Sequence, residues 1–412
     1  MKQKRILLIG GNFYPEPTGI GKYNGEMADF LANTGYQCTV ITSYPYYPFW
    51  KTQEPYSGKA YWYKKETRAI AGTAITIYRC PQYVPQNPTG KKRMLLDLSF
   101  FLSSFFKIFH LLFKKKYDYV ITVAPCFQIG LLGLFYKKIK GAKLIYHMQD
   151  LQIDAARDLK ILRSKLFITF LLRIERFILK HADVVSTISA GMIKKIEAKY
   201  KRTVTYFPNW VDTKVLYPLQ EKQKLKEDFG FRATDIIALY SGAIGEKQGL
   251  EDIIHAAKFL SKIPDLKFVI CGSGPYKEKL KALKEELGTD NVHFLSLQPI
   301  EKLNGFLNMA DIHLVLQKAN AGDLVMPSKL TGILSVGGVA VITTSKNTSL
   351  YEMISVNNIG IVAEPESRKE LTAAIEKLIY SDKELISKNA ANYAREFFSI
   401  EKVFYHFSTC LQ

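Results

Sequence analysis

Short apolar runs alternate with stretches of helical spacing along the first half of the chain. The run RILLIG at Arg5–Gly10 predicts a buried strand, and apolar residues at every third or fourth position predict a helix over Lys22–Asn33. A loop rich in glycine and proline, Gly11–Gly21, separates the two. Further strands are predicted at Cys38–Thr42, Tyr119–Val123 and Lys143–Tyr146. This alternation favours a parallel sheet with helices on both faces.

The second half of the chain repeats the alternation. Strands are predicted at Ile236–Tyr240, Leu266–Cys271, Ile312–Leu316 and Val339–Thr343, with another beginning at His293–Phe294. Helices are predicted at Leu250–Ser261 and Pro275–Leu287. The stretch Phe207–Pro218 holds two prolines between the two series, which suits a hinge.

We therefore expect an α/β fold with two doubly wound, Rossmann-like domains facing a cleft. The expected boundaries are 1–207 for the first domain and 208–390 for the second, with a C-terminal helix in 391–412 that returns to the first domain. Ligands of such sheets bind at the carboxyl ends of the strands.

Two long apolar stretches have basic flanks. One is Lys91–Lys116, and its two basic triplets are Lys91, Lys92, Arg93 and Lys114, Lys115, Lys116. Its length would span a bilayer, but Asp97, Lys107 and His110 make spanning costly. Lys160–Lys180 is similar. Two alternatives stay open for both stretches: an amphipathic helix packed on the sheet, or an interfacial helix on anionic headgroups.

The positive charge of the chain is concentrated in its first half. The formal net charge is +19, of which residues 1–210 carry +20 and residues 211–412 carry −1. This asymmetry indicates a polyanionic partner of the first domain: nucleic acid, an anionic membrane face or a phosphorylated substrate. Five scattered cysteines favour a reducing compartment, and the apolar run after the N-terminus is too short for a signal peptide.

Four glycine-containing or helix-opening turns are candidates for anion binding. Each follows a strand or opens a helix, where backbone N–H groups can approach a phosphate. They contain Gly19 and Gly21; Gly242, Gly245 and Lys247; Gly272 and Gly274; and Ser328 and Lys329. A lysine among glycines, as at Lys247, suits a diphosphate.

One histidine is a further candidate site residue, and the common metal-binding motifs are absent. His147 follows the apolar run KLIY, at the predicted carboxyl end of a strand. The chain has no D-x-D, no H-E-x-x-H and no Cys/His cluster, so we expect neither a metal nor a cofactor. Basic side chains and helix ends would then stabilise a diphosphate.

These motifs together resemble the retaining glycosyltransferases of family 4, which have the two-domain GT-B fold. The resemblance runs essentially from one end of the chain to the other, and the chain looks like the branch that contains the colanic acid biosynthesis fucosyltransferase. The matching stretches are Pro15–Tyr23, Tyr44–Pro48, Phe207–Asn209, Tyr240–Glu251 and Met326–Leu334.

The resemblance implies a nucleotide-diphospho-sugar substrate, GDP-fucose or another GDP- or UDP-sugar, held mainly by the second domain. Lys247 would contact the phosphates and His147 the transferring sugar. The other donor-binding positions implied are Gly19, Gly21, Gly242, Gly245, Gly272, Gly274, Leu297, Ser328, Lys329 and Leu330. The acceptor, a lipid-diphosphate-linked saccharide, would bind the first domain of a cytoplasmic enzyme that is peripheral on the inner face of the plasma membrane.

The chain also departs from the family pattern. Ala243 stands where the family often has an arginine. Leu324 and Gly332 stand where the family has the two glutamates of its E-x7-E motif. Asp323, beside the first of these, is the candidate to substitute for it as a catalytic residue. The missing glutamates leave open a non-catalytic subunit that binds a nucleotide sugar. A nucleic-acid binder would need a recognised motif, and an NAD oxidoreductase would need the dinucleotide glycine spacing; neither is present.

Overall fold

The chain folds into two compact α/β units in a computed structural model that describes residues 3–17, 19–70, 72–158, 162, 164–319 and 326–411. The first unit comprises Met1–Phe207 with Ser408–Gln412, and the second comprises Pro208–Phe407. The predicted α/β class with two parallel-sheet, Rossmann-like units is confirmed.

The first unit is built on an eight-stranded sheet of order β3-β4-β2-β1-β5-β6-β7-β8, in which only β3 is antiparallel to its neighbour. Its strands are β1 (Arg5–Ile9), β2 (Gln37–Ser43), β3 (Lys64–Ile70), β4 (Thr73–Cys80), β5 (Tyr119–Ala124), β6 (Lys143–Met148), β7 (Val184–Thr187) and β8 (Thr205–Tyr206). Its helices are α1 (Gly19–Asn33), α2 (Gly90–Leu112), α3 (Ile129–Lys140), α4 (Gln152–Asp158), α5 (Lys165–His181) and α6 (Ala190–Tyr200).

The second unit has a six-stranded, wholly parallel sheet of order β11-β10-β9-β12-β13-β14. Its strands are β9 (Ile236–Ser241), β10 (Leu266–Cys271), β11 (Val292–Leu295), β12 (Ile312–Val315), β13 (Ala340–Thr343) and β14 (Ile361–Ala363). Its helices are α7 (Lys222–Asp228), α8 (Glu251–Phe259), α9 (Lys277–Leu287), α10 (Ile300–Asn308), α11 (Lys329–Ser335), α12 (Ser349–Asn357), α13 (Arg368–Tyr380), α14 (Glu384–Tyr393) and α15 (Ile400–Ser408).

Both faces of the second sheet are covered, which explains why its strands are almost continuously apolar. Alternate residues of β9 enter different hydrophobic clusters: Ala238 and Tyr240 pack on one side, and Ile237 and Leu239 on the other. The period of two along a strand produces this division.

The strand order reverses once in each sheet, and these reversals locate the ligand-binding edges. The first sheet reverses between β1 and β5, and the second between β9 and β12. Loops that leave neighbouring strands in opposite directions open a crevice at such a point. The loops after β1 and β9 are the first two glycine-rich turns of the sequence.

The last residues of the chain pack on the first unit. The hydroxyl of Tyr119 donates to the carbonyl of Leu411, and the Lys4 amine donates to the same carbonyl at 3.3 Å. The preceding helix, α15, belongs to the second unit.

Candidate functional site

Two glycine-rich loops of the second unit lie side by side because they leave adjacent parallel strands, β9 and β10. The Gly242 N–H donates to the Cys271 carbonyl, and the Ile244 N–H donates to the Ser273 carbonyl, each at 2.9 Å. A Cβ on Gly272 would lie 1.9 Å from the carbonyl oxygen of Gly242, and one on Gly274 would lie 2.1 Å from that of Ile244. These two glycines are therefore required for the contact between the loops. Their predicted contact with a donor stays a prediction.

The side chain of Lys329 lies beside the β9 loop. Its Nζ is 3.5 Å from the centre of the Tyr240 ring, and a Cβ on Gly242 would lie 3.2 Å from this Nζ. The amine is buried, and within the described ranges it has no hydrogen-bond partner. Burial lowers the pKa of Lys329 to about 7. A buried amine without a partner has its donor capacity free for an anion.

Tyr240 also fixes the loop that faces this amine. Its hydroxyl donates to the Ala243 carbonyl at 2.6 Å, three residues further along the chain. The ring thus positions both the lysine amine and the turn that carries Gly242.

Lys247 occupies a different environment. It lies on a single 3₁₀ turn, Glu246–Gln248, and its side chain is exposed. Gly245 precedes this turn, and Gly249 ends it with a φ of 65°. The Lys247 carbonyl accepts from the Lys318 N–H at 3.1 Å. The predicted contact of the Lys247 side chain with a phosphate stays a prediction.

The fourth predicted turn opens α11, and one of its amides is already engaged. The N–H of Leu330 donates to the Pro327 carbonyl at 3.0 Å, and the Leu330 side chain is fully buried. The turn itself thus uses that donor, and the implied contact of Leu330 with a nucleotide-diphospho-sugar stays a prediction. Ser328 is exposed and immediately precedes the helix. Leu297, in the turn after β11, is half-buried.

Of the two positions at which the family has its motif glutamates, the structure describes the second. Asp323 and Leu324 lie outside the described residues. Gly332 lies on α11, where a Cβ would be 3.2 Å from Leu216 and 3.8 Å from Leu307. Apolar side chains thus face the position at which the family has its second glutamate.

In the first unit, the glycine-rich loop is held by a glutamate that the sequence analysis missed. Oε1 of Glu16 accepts the N–H groups of Tyr46 and Tyr47 at 2.9 Å each, and Oε2 accepts from the Asn12 side chain at 2.9 Å. Burial raises the pKa of Glu16 to about 7. Glu16 lies in the sequence PEPTGIGKY, and Tyr46 and Tyr47 lie in the tyrosine- and proline-rich stretch 44–48. Neither sequence pattern indicates that the two stretches contact each other.

Gly19 and Gly21 lie inside α1, whereas the loop preceding the helix was predicted to extend to Gly21. A Cβ on Gly21 would lie 2.4 Å from Oε2 of Glu16, and Gly19 begins the helix with a φ of 62°. The helix starts three residues earlier than predicted because the small first turn packs on the Glu16 carboxylate. Whether these glycines also contact a donor stays a prediction.

His147 lies within β6, not beyond its end as predicted, and its side chain is fully buried. Its Nδ1 is 3.0 Å from the Ser186 hydroxyl, and its ring packs edge-on against Phe207 with 5.0 Å between centres. Burial lowers the pKa of His147 to about 3, so the ring is neutral near pH 7. Nε2 is buried and has no hydrogen-bond partner in the part of the chain that the structure describes.

The two basic-flanked stretches contain helices that pack on the first unit with one face; residues 160, 161 and 163 of the second stretch lie outside the described residues. Helix α2 buries Leu96, Phe100, Ser104, Ile108 and Leu111. All six predicted basic residues of its flanks are exposed: Lys91, Lys92, Arg93, Lys114, Lys115 and Lys116. By length and composition α2 could cross a membrane, and among the described residues one helix meets this test. In its most apolar 18-residue stretch, 33% of the residues are buried. The second helix, α5, exposes Leu166, Phe170 and Phe177.

No group of three or more His, Cys, Asp or Glu side chains among the described residues is arranged to hold a metal ion.

Comparison with known proteins assigns the two halves to glycosyl transferase families. Residues 18–210 match the family described as "Glycosyl transferase 4-like domain", and residues 221–397 match "Glycosyl transferases group 1". The chain is 39% identical over 383 residues to WcaI of Escherichia coli (strain K12), which is named as a colanic acid biosynthesis glycosyl transferase. The match covers 91% of this chain and 92% of that one.

A second relative is more distant. It is the GDP-mannose-dependent alpha-(1-6)-phosphatidylinositol monomannoside mannosyltransferase of Mycolicibacterium smegmatis, 24% identical over 74% of this chain and 71% of that one.

Solved structures share the fold across the whole chain. Sucrose-phosphate synthase from Thermosynechococcus elongatus matches with a TM-score of 0.76 and 17% identity, over 99% of this chain and 98% of that one. Anabaena Alr3699/HepE in complex with UDP and glucose matches with a TM-score of 0.69 and 14% identity, over 99% of both chains. Since identity to WcaI extends over both units, the chain belongs to the group 1 glycosyl transferases with the GT-B fold.

Proposed function

We propose that this protein transfers a glycosyl group from a nucleotide-diphospho-sugar to a lipid-linked saccharide, with retention of anomeric configuration and without a divalent metal. The observation that carries the proposal is the amine of Lys329, which is buried beside the β9 loop with no hydrogen-bond partner among the described residues. A buried cation is costly unless something pairs with it, and a diphosphate supplies both charge and acceptors.

The proposed chemistry places positive charge where negative charge develops. The bond between the anomeric carbon and the diphosphate oxygen breaks, and its electron pair stays on the departing nucleoside diphosphate. An acceptor hydroxyl forms the new bond to the anomeric carbon, and its proton passes to the departing nucleoside diphosphate. Lys329, together with Lys247 on the neighbouring turn, would stabilise the leaving group more strongly as its charge grows, which lowers the barrier. Asp323 stays the candidate for the missing family glutamate, and His147 the candidate for contact with the sugar.

The relatives support the proposed substrate classes. The HepE structure holds UDP and glucose, and the mannosyltransferase is named for GDP-mannose and for a phosphatidylinositol mannoside acceptor. WcaI is named for colanic acid biosynthesis. We therefore assign the donor to GDP-fucose or another GDP- or UDP-sugar. The acceptor belongs to bacterial exopolysaccharide, capsule or O-antigen synthesis at the inner face of the plasma membrane.

The experiment is a transfer assay with a panel of GDP- and UDP-sugars and a saccharide linked to a lipid diphosphate, in excess chelator. We expect turnover of one donor in the chelator, a product with the donor's anomeric configuration, and at least a tenfold loss of kcat/KM in Lys329→Met. Activity that needs added magnesium or manganese contradicts metal independence. Donor binding without turnover of any acceptor supports the non-catalytic subunit instead.

A further inference from the structure

A groove of about 860 Å³ runs along helix α2 in the first unit. Its walls are largely aromatic and aliphatic, and they come from the segment before β3, the loop after β4 and α2 itself. The residues that matter here are Tyr61, Trp62, Tyr83, Leu102 and Phe106. Trp62 is 69% exposed and Phe106 is 65% exposed. A concentration of exposed large apolar side chains marks a surface that binds something.

The groove continues into an apolar stripe on α2. The stripe follows helical spacing, so its members share one face. It consists of Leu95, Leu98, Leu102, Phe106, Phe109 and Phe113, each between 49% and 75% exposed. The exposed basic triplets lie at the two ends of this helix. The surface therefore combines an apolar floor with cationic ends.

One end of the groove reaches the reversal point of the first sheet. Gln82 lines the groove and also a smaller cavity of about 30 Å³, whose walls include Gly11 and Asn12 after β1 and Pro125 after β5. Nε2 of Gln82 donates to the Leu96 carbonyl at 3.2 Å. Its Oε1 is buried and, as far as the described ranges show, has no hydrogen-bond partner. The free atom of Gln82 is thus an acceptor, which suits a saccharide hydroxyl and not a phosphate, and it lies where parallel sheets bind ligands.

The charges around the groove select among possible occupants. The amine of Lys107 lies 4.9 Å from the centre of the Tyr63 ring, which is a groove wall, and 4.8 Å from that of Tyr78. A second copy of this chain would bring another strongly basic first half against these cations, which repulsion disfavours. An amphiphile with a hydrocarbon chain and an anionic head satisfies both the apolar walls and the cations.

We propose that this groove binds the hydrocarbon chain of the lipid-linked acceptor, in the segment nearest its diphosphate. The chain lies against Trp62, Leu102 and Phe106, the diphosphate lies on the cationic side near Lys107, and the saccharide points toward Gln82 and the reversal point of the sheet. The inference rests on the proposed function for the identity of the acceptor. It goes further because it assigns the lipid its own site within the protein, separate from the bilayer.

The test uses decyl diphosphate, which has no sugar, kept below its micelle concentration so that no bilayer or micelle is present. Its binding to the full chain is measured by calorimetry, with inorganic pyrophosphate as the head-group control. We expect the Leu102→Ser/Phe106→Ser variant to raise the Kd for decyl diphosphate at least tenfold and to leave pyrophosphate binding unchanged. Both side chains are substantially exposed, so the variant should fold, and thermal unfolding checks this.

Phe113→Ser is the matched control, because Phe113 ends the same stripe but does not line the groove. We expect it to change the Kd for decyl diphosphate by less than twofold. An equal loss in Phe113→Ser, or an unchanged Kd in the double variant, overturns the proposal; the former would mean that the alkyl chain binds along the whole apolar stripe and not in the groove. A shift of oligomeric state in the double variant would assign the surface to self-association and also overturn it.

Transfer kinetics separate this inference from the proposed function. With a long-chain acceptor, the double variant should raise KM at least tenfold, while KM for a butyl-diphosphate-linked acceptor and binding of the nucleoside diphosphate stay unchanged. If groove-dependent binding of decyl diphosphate occurs and no sugar is transferred to any acceptor, the groove stands and the proposed function falls. If the double variant changes KM by the same factor for the long-chain and the butyl-linked acceptor, the groove proposal falls and the proposed function stands.

Discussion

The amine of Lys329 lies 3.5 Å above the centre of the Tyr240 ring. A cation–π contact is worth about 0.5–2 kcal/mol, whereas removing an ammonium from water costs several kcal/mol. The ring therefore does not offset the burial of the amine, whose lowered pKa has the same cause. The residue makes this unit less stable until an anion binds.

Replacing Lys329 by Met should separate stability from activity. The thioether has a similar length and no charge, so we expect the free energy of unfolding to rise by about 1–3 kcal/mol at pH 7. The kcat/KM for transfer should fall at least tenfold, since one charge-assisted contact to a phosphate is worth about 1.5–3 kcal/mol. Urea unfolding and steady-state kinetics measure the two effects.

The matched control for this prediction is Lys247→Met, a loss of the same charge from an exposed turn. We expect its stability to change by less than about 0.5 kcal/mol, although its transfer rate should also fall tenfold if it contacts the diphosphate. A Lys329→Met protein that is less stable than the wild type and fully active would show that the lysine serves packing alone.

The stability of the wild type should rise with pH in the range that Lys329 controls. The pKa of this amine is about 7 when folded and near its ordinary value of 10.5 when unfolded, so between these values the unfolded chain binds more protons. The free energy of unfolding then increases with pH, by up to about 1.4 kcal/mol per pH unit from this group. The stability gap between Lys329→Met and the wild type should therefore narrow by more than about 1 kcal/mol from pH 7 to pH 9. A stability difference between the two proteins that stays constant from pH 7 to pH 9 would contradict this assignment of the pH dependence to Lys329.

Gly272→Ala should disrupt the contact between the β9 and β10 loops. The added methyl group would overlap a backbone carbonyl at 1.9 Å, and a backbone cannot move away as a flexible side chain can. We expect a loss of more than about 3 kcal/mol in stability, and weaker binding of a nucleoside diphosphate. Gly288→Ala is the control, since Gly288 has a φ of 59° and open space around it, and should cost about 1–2 kcal/mol. Calorimetry and thermal unfolding measure both variants.

The sequence predicted the two sheets better than the functional side chains. Continuous apolar runs such as RILLIG identify strands covered on both faces, because no partner is needed to interpret them. The polar edge strand β3, KKETRAI, was missed because its pairing with β4 gives it structure that its composition does not favour. Lys329 was predicted at a helix end, but its burial against Tyr240 depends on a contact between residues 89 positions apart.

Glu16 shows the same limit in the first unit. Its partners Tyr46 and Tyr47 lie on another loop, and no local pattern distinguishes a buried carboxylate from a surface one. His147 was placed beyond its strand because the apolar run KLIY ends at Tyr146. In the fold, hydrogen bonding to Ser186 allows the ring to occupy the sheet interior.

Glu16→Ala should loosen the first glycine-rich loop. Two backbone N–H groups lose their acceptor, and each unsatisfied buried donor costs about 1–3 kcal/mol, so we expect a loss of about 2–6 kcal/mol. The raised pKa of Glu16, about 7, means that the folded chain binds more protons than the unfolded chain between pH 4.5 and 7. Wild-type stability from this group therefore falls as the pH rises through 7.

Urea unfolding at pH 5 and pH 8 tests both statements. Glu16→Gln, which keeps an acceptor oxygen, should show less of this pH dependence than the wild type. Glu26→Gln is the control, because Glu26 forms a partly exposed pair with Lys22 and should change stability by less than about 1 kcal/mol. Equal effects of Glu16→Ala and Glu26→Gln would contradict the role assigned to the buried carboxylate.

The basic C-terminal flank of α2 should contribute to membrane binding. Lys114, Lys115 and Lys116 are exposed beside Phe113, which is 75% exposed. Each lysine near an anionic surface contributes about 1 kcal/mol, and salt screens this part, whereas burial of phenylalanine in the acyl boundary does not depend on charge. Replacing the three lysines with Gln should therefore reduce flotation with anionic vesicles at low salt at least tenfold and leave a salt-resistant remainder.

The control is Lys346, Lys369 and Lys388 changed to Gln, an equal loss of charge from exposed positions of the second unit, which should leave flotation within twofold of the wild type. Equal flotation on neutral and anionic vesicles, unaffected by the first triple change, would contradict an electrostatic role for this flank, because charge would then contribute nothing to the binding.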